Sequence, residues 1–377
     1  MQISKFKSGS WKQQYQYKSF SPESINKDWL IDNAEIINLL SKANIKLGEL
    51  NAFSQLVPDV DFFIKMHINK EATKSSRIEG TQTNIEEVVQ KQENIRPEKK
   101  DDWQEVHNYI NAMNMAIAEL EKLPLSGRLL KMIHAILMQG VRGETKTPGE
   151  YRRSQNWIGG ASINDAVFIP PHFEELPELI TDLENFIHNE NNKVPDLIKI
   201  AILHYQFETI HPFLDGNGRI GRLLITLYLV DKKILVNPTL YLSDFFEKNK
   251  ELYYDNLTRV RTKSDLIQWL KFFLEGVFQT AQNSIDTFKA IIKLKGKAEN
   301  DITQLGKKLP LAKQMLFYLY THPVVDLADV TDTLKINKTT ALRLIGDLER
   351  LNILHEITGY KRNRIFVFKE YLALFNE

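Results

Sequence analysis

The sequence predicts a mainly α-helical protein with one small β-hairpin near its middle and an α+β module at its carboxy terminus. Three observations carry this expectation. Apolar residues recur at helical spacing over most of the first 295 positions. Glycine, proline and short β-type runs gather between Thr147 and Pro171. Residues 309–377 read as three helices followed by two strand-like runs.

Composition sets the bounds. At roughly 100–200 residues per domain, 377 residues suggest two or three units. Apolar residues at 43% and charged ones at 26% are ordinary for a globular chain. Forty-nine basic against forty-eight acidic side chains leave no global field for nucleic acid, anionic membrane or acidic substrate, so an anion site must be local. The absence of cysteine excludes disulfides, thiolate metal sites and a cysteine nucleophile. The start, "MQISKFKSGSWKQQYQYKSF", has no signal-type apolar run, and no stretch of about 18 uncharged apolar residues occurs. A cytoplasmic protein without a membrane partner is expected.

The elements follow in order. Residues 32–70 show helical spacing, and Ala72 to Ile78 extend it to a stop at Gly80. Thr83, with Glu86 three positions on, is placed to cap the next helix before Ile85, Val88 and Val89. The Pro-and-charge break in "NIRPEKKDD" sets a boundary near 97–101, and an amphipathic helix begins at about Trp103. Another helix covers 127–140. "NWI" and "AVFI" then flank a polar turn as hairpin arms. Helices follow at 173–190, 195–210 and 218–236, the last apolar nearly all round and therefore buried. Helical spacing resumes through Trp269, Phe272, Phe273 and Val277 to about Lys295, where "KLKGKAEND" reads as a polar joint. The expected organisation is an amino-terminal helical region (1–100), a central domain (101–295), a linker (296–308) and a carboxy-terminal module (309–377).

The densest chemistry lies in "HPFLDGNGRIGR". Pro212 cannot continue the preceding helix, so His211 sits at a helix end and points into the loop. A new helix starts within "GNGRIGRLL", and the outward amides of Gly216, Asn217 and Gly218 form a glycine-lined helix amino terminus suited to phosphate. Arg219 and Arg222, three apart, share a face and can fork onto further phosphate oxygens. Asp215 suits a hard cation such as Mg²⁺ on the same phosphates, and a histidine has the ordinary pKa of a general base near neutrality. Gly216, Gly218 and Gly221 also match G-x-G-x-x-G, but the segment before them is helical and carries His204, Glu208 and His211, whereas a dinucleotide turn needs a strand there. No G-x-x-x-x-G-K-[ST] loop occurs, and His204 with His211 lacks H-E-x-x-H spacing for zinc.

At every defined position these residues resemble the motif of Fic-domain proteins, HPFx(D/E)GNGRxxR. The resemblance implies a Fic-type helical domain that transfers AMP from ATP to a hydroxyl side chain of a protein and releases pyrophosphate. By position, His211 would deprotonate that hydroxyl, Phe213 would anchor the loop and Asp215 would hold Mg²⁺. Gly216, Asn217 and Gly218 would form the anion hole, Arg219 would contact the β-phosphate region and Arg222 the γ-phosphate. The Doc-like phosphotransferase branch has Lys where this chain has Gly218, so the glycine favours adenylyl transfer. "GEYRRSQNWIGG" through "VFIPP" resembles the family's flap, whose edge pairs with the target backbone at Trp157, Ile158 and Gly159. "YLSDFFEKNKELYYDNL" resembles the helix that supplies aromatics around adenine, here Tyr253 and Tyr254.

"SSRIEG" is similar to the family's inhibitory motif, (S/T)xxxE(G/N), at Ser75, Glu79 and Gly80. The resemblance implies that Glu79 pairs with Arg222 and occupies the fork meant for the γ-phosphate, so that ATP presents its α-phosphorus wrongly until the glutamate is withdrawn.

Residues 309–377 resemble a winged helix of the kind fused to some Fic proteins. From Lys338 to Lys369 there are seven Lys/Arg against three Asp/Glu, with "KTTALRL" as recognition helix and "GYKRNR" as wing. Lys338, Arg343, Lys361, Arg362 and Arg364 are the candidate DNA contacts; the bland alternative is protein docking or dimerisation. The expected partners are thus ATP and a hydroxyl-bearing protein, with DNA and a second copy of the chain left open. The alternatives to an AMP transferase are a DNA-binding regulator whose Fic domain senses nucleotide or modifies itself, and an enzyme that removes AMP.

Overall fold

The computed structural model describes residues 1–56, 60–140 and 143–375. It is mainly helical, at 64% helix, with two small antiparallel sheets. Among the described residues no helix is long and apolar enough to cross a membrane.

The polar start is more ordered than its composition suggests. β1 (Gly9–Gln13) and β2 (Lys18–Pro22) form a hairpin, and Phe20 N–H donates to Ile169 O at 3.0 Å, which fastens the hairpin to the 147–171 segment. The helical run expected over 32–70 is two helices, α1 (Ala34–Leu56) and α2 (Val60–Ile78); Pro58 stands between them, and residues 57–59 lie outside the described ones. The next helix, α3 (Ile85–Val88), is capped by Asn84 rather than Thr83. Asn84 Oδ1 accepts from Glu87 N–H at 2.9 Å and the Glu87 carboxylate accepts from Asn84 N–H at 3.1 Å, a capping box one residue later than the sequence suggested.

α4 (Lys100–Glu119), α5 (Gly127–Leu137), α6 (Leu176–His188), α7 (Asp196–Ile210) and α8 (Asn217–Asp231) surround the central core. Every residue of α7 from Leu197 to Ile210 is buried, and α8 is buried over most of its length. Two such helices meeting end to end at one short loop hold that loop rigidly. α9 (Ser243–Lys248), α10 (Lys250–Lys263) and α11 (Leu266–Asp301) close the domain, with α1 lying along α11. The hairpin expected between 147 and 171 is reduced to one bridge, Ile158 with Phe168, and a 3₁₀ turn at Ile163–Asp165 fills the connection.

The stretch 296–308 is not an open linker. α11 continues through Asp301 and a 3₁₀ segment carries on to Lys308, because Ala298 and Ile302 are buried in a second core. That core belongs to α12 (Leu309–Thr321), β3 (Val324–Asp326), α13 (Leu327–Leu334), α14 (Lys338–Arg350), β4 (His355–Glu356), β5 (Ile365–Val367) and α15 (Lys369–Ala373), with sheet order β3-β5-β4. Phe62, Met66 and Ile85 from α2 and α3 also enter it, and Phe62 meets Phe317 edge-on at 4.7 Å. The helix that leads to "SSRIEG" therefore packs against both cores.

Candidate active site

His211 caps α7 in the left-handed region, with φ 51° and ψ 60°, and its N–H donates to Phe207 O at 2.9 Å. For a non-glycine residue such a conformation costs about 1–3 kcal/mol and persists only where its surroundings impose it. They do so here. Arg152 Nε donates to His211 O at 3.0 Å, and Asn156 Nδ2 donates to His211 O at 3.1 Å and to Phe213 O at 2.9 Å. Asn217 accepts from Phe213 N–H and donates to Phe213 O, both at 2.8 Å, so its side chain staples the loop. Phe213, fully buried, stacks on His134 at 4.0 Å. Gly149 N–H donates to His134 Nδ1 at 2.8 Å, which leaves Nε2 to donate to Asp215 O at 3.1 Å.

Beside this loop lies a cavity of about 300 Å³ lined by His211, Asp215, Gly216, Asn217, Gly218, Arg222, Tyr253, Tyr254, Trp157, Ile158, Gly159 and Glu79. Residues chosen from four separate stretches of sequence thus share one space. Burial, reinforced by Arg261 and Arg152, pushes His211 down to about 3, so its imidazole is neutral, and its Nδ1 makes no hydrogen bond. The Asp215 carboxylate accepts from Gly216 N–H at 2.6 Å through Oδ1. Ile158 spends its backbone N–H and C=O on Phe168, and Gly159, with φ 70°, bends the chain out of the extended run directly after it.

Arg222 is buried, and its guanidinium donates to Ser75 Oγ and Ser75 O, each at 2.9 Å, and to Glu79 Oε1 at 2.6 Å. Burial alone would raise the Glu79 carboxyl, but the charge and hydrogen bond of Arg222 outweigh it and leave the group below its ordinary range. A Cβ on Gly218 would stand 2.3 Å from Glu79 Oε1 and 3.0 Å from Arg222 Nη1, so the pair lies directly on the first turn of α8. Gly80, with φ 110°, ends the segment.

Three expected residues sit differently from their neighbours in the sequence pattern. Arg219 does not line the cavity: Nη1 lies 3.5 Å from Glu105 and Nη2 contacts Met138 Sδ, so the face shared with Arg222 on paper diverges in space. Tyr253 is buried, donating through its hydroxyl to His204 Nε2 at 2.9 Å and stacking on Phe246 at 4.5 Å, so it forms a floor. Tyr254 is 40% exposed and open to contact.

Sequence reasoning missed Arg152, Asn156, Glu208 and Arg261. "YRRSQN" offers no way to tell the buried Arg152 from its neighbour Arg153, whereas the single acid in "AILHYQFETI" was a visible signal for Glu208.

Comparison with known proteins agrees with this geometry. Residues 37–118 match the Fic/DOC family N-terminal model and residues 124–229 match the Fic/DOC family model. A probable protein adenylyltransferase of Aquifex aeolicus is 31% identical over 171 residues, covering 45% of this chain and 50% of that protein. A protein adenylyltransferase Fic of Drosophila grimshawi is 25% identical over 180 residues, covering 46% and 34%. The chain thus spans half or less of the length of these curated relatives. A Fic family protein from Desulfovibrio desulfuricans shares the fold over 91% of this chain and 98% of its own, with a TM-score of 0.58 at 21% identity. With the two models matched in order and the motif loop built as described, the chain belongs to the Fic/DOC family.

Proposed function

We propose that this protein is a protein adenylyltransferase that moves AMP from ATP to a Ser, Thr or Tyr hydroxyl of a protein, its own chain included, and is restrained by Glu79. The observation that carries the reading is that a neutral His211, the amino terminus of α8 and Arg222 border one cavity, with Glu79 seated on the arginine.

The α8 amides of Gly216, Asn217 and Gly218 would cradle phosphate. Arg222 would hold the γ-phosphate once Glu79 leaves, and Tyr254 would stack on the adenine above the floor made by Tyr253. Arg219, 3.5 Å from Glu105, would support the cradle from behind. Asp215 fits a hard cation that takes its remaining ligands from phosphates and water, since its second carboxylate oxygen remains after Oδ1 accepts the Gly216 amide. Mg²⁺ bound there would neutralise phosphate charge. A target strand paired to Trp157 and Gly159 would bring its hydroxyl to His211, which takes the proton as the oxygen attacks the α-phosphorus and pyrophosphate departs. At about 3 the resting imidazole is a weak base. The negative charge of a seated triphosphate raises it, so base strength and substrate binding rise together.

The carboxy-terminal body is proposed to be a winged helix. Lys338, Arg343, Lys361 and Arg362 are exposed and available for DNA phosphates, while Arg364 is partly committed to Glu349 at 3.4 Å and to the Phe366 ring.

The test is incubation of the Glu79→Gly protein with labelled ATP and a lysate, followed by mass spectrometry. Labelled protein should form and should vanish with His211→Ala, which should still bind ATP within a few-fold. No label with Glu79→Gly, or full label with His211→Ala, would overturn the assignment.

A further inference from the structure

Glu208 has no part in the scheme above, and neither has Gly221, the third glycine of the G-x-G-x-x-G spacing. The two face each other. A Cβ on Gly221 would stand 2.2 Å from Glu208 Oε1, so only glycine there lets the carboxyl lie against α8. The Gly221 carbonyl accepts from His204 Nδ1 at 2.8 Å, which fixes that turn. Glu208 is 5% exposed, its Oε1 makes no hydrogen bond, and its side chain borders the nucleotide cavity beside Arg222 and Arg261.

Both arginines are committed elsewhere. Arg222 is held by Ser75 and Glu79, and Arg261 donates to Thr209 Oγ1 at 3.2 Å and to the backbone carbonyl of Glu208 at 2.9 Å. An ionised carboxylate so placed is costly, and a neutral acid much less so. The groups facing Glu208 are Arg222 on α8, Arg261, Tyr253 and Tyr254 on α10, Glu79 beyond α2, His204 on its own helix and His211 at that helix's cap. Burial acts most strongly, ahead of the two arginines and opposed by them, and brings the carboxyl up to about 7. A triphosphate in place of Glu79 sets several negative charges where one stood, which favours the neutral form further.

We propose that Glu208 binds the nucleotide as a neutral acid, donating its carboxyl O–H to a phosphate oxygen of ATP, so that nucleotide binding takes up one proton from solvent. This rests on the assignment of the cavity to ATP. The proton joins the Glu208 carboxylate as the nucleotide seats and returns to solvent when it leaves, and no bond to phosphorus is made or broken by Glu208.

The experiment is calorimetry on the full chain carrying Glu79→Gly, with Mg²⁺ and an ATP analogue bearing a methylene between the α and β phosphorus, at pH 8 in two buffers of different ionisation enthalpy. The uptake should approach one proton, and affinity should fall close to tenfold per pH unit where the free carboxyl is ionised. Adding Glu208→Gln should keep binding and abolish the uptake. Equal uptake with and without Glu208→Gln, or a parent whose heat ignores the buffer, would overturn the proposal. Proton uptake on binding adenosine alone would also overturn it, because the proton would then answer to the nucleoside and not to phosphate. Analogue binding by neither protein would unseat the ATP assignment and this inference with it. Should the Gln variant fail to fold, the parent's buffer dependence and its affinity from pH 6 to pH 9 decide alone.

Discussion

Glu79 and Arg222 stand 143 residues apart in the chain and meet at 2.6 Å on the first turn of α8. Ser75, one helical turn before Glu79, holds the same guanidinium through both its hydroxyl and its carbonyl. The last turn of α2 is therefore built around Arg222, and withdrawing Glu79 alone leaves that arginine in place.

Glu79→Gly should raise AMP transfer on the order of 10²-fold or more, since misplacing a reacting atom by about 1 Å costs about that much. Arg222→Ala should not activate, because it removes the γ-phosphate grip along with the restraint. Adding Glu79→Gly to it should restore little, and a double-mutant cycle on initial rates measures the coupling. Independent effects of the two substitutions would reduce Glu79 to a helix-end carboxylate.

Arg152 is buried and spends its side chain on the carbonyls of His211, Pro171, Ile210 and Ser154. Arg152→Met leaves the carbonyls of Pro171 and Ile210 unpaired, at about 1–3 kcal/mol for each buried group, and leaves His211 O to Asn156 alone. In the Glu79→Gly background it should lower the melting temperature and cut kcat by about 10²-fold while changing the KM for ATP only a few-fold. Arg152→Lys should rescue little, because one ammonium cannot reproduce a planar fork. Unchanged kcat in a folded Arg152→Met protein would show that the loop holds itself.

Changing Arg343, Lys361, Arg362 and Arg364 together to Ala should weaken DNA binding and flatten its dependence on salt without altering self-modification. Fluorescence anisotropy on duplex DNA at two salt concentrations reads this. If the intact protein shows no salt-sensitive DNA binding, the module is a protein-docking or dimerisation element.

Burial pushes His67, His204 and His211 down to about 3 and His134 to about 4, all below the ordinary 6.5. The unfolded chain then binds more protons than the folded one below about pH 6.5, so stability is full above that pH and falls as acid is added. The slope is about 1.4 kcal/mol per pH unit for each histidine. Glu208, holding a proton in the folded state up to about 7, and Glu71, whose carboxyl burial also raises, have the opposite sign, but they stand against these four histidines and against His107 and His322, which burial lowers as well. Urea midpoints at pH 7.5, 6.5 and 5.5 should fall in that order. A midpoint that rises toward acid would mean that the histidines are solvated.

Most of the site was legible in the sequence because it is a local device. "HPFLDGNGRIGR" supplies a proline stop, a loop and a glycine-lined helix start within twelve residues, and that order follows from backbone chemistry alone. Helix periodicity likewise read three helices at the start of the carboxy-terminal module, where α12, α13 and α14 lie. Tertiary structure decided what depends on neighbours. It sent Arg219 toward Glu105 while Arg222 reached Glu79, because helical spacing fixes a face but not what packs against it. It reduced the 147–171 hairpin to one bridge and added the amino-terminal hairpin beside it, since pairing of short strands is set by their partners more than by their own residues. It made Arg152 a clamp and Arg153 a surface residue, because burial belongs to the assembled fold and two adjacent arginines are alike until the fold buries one.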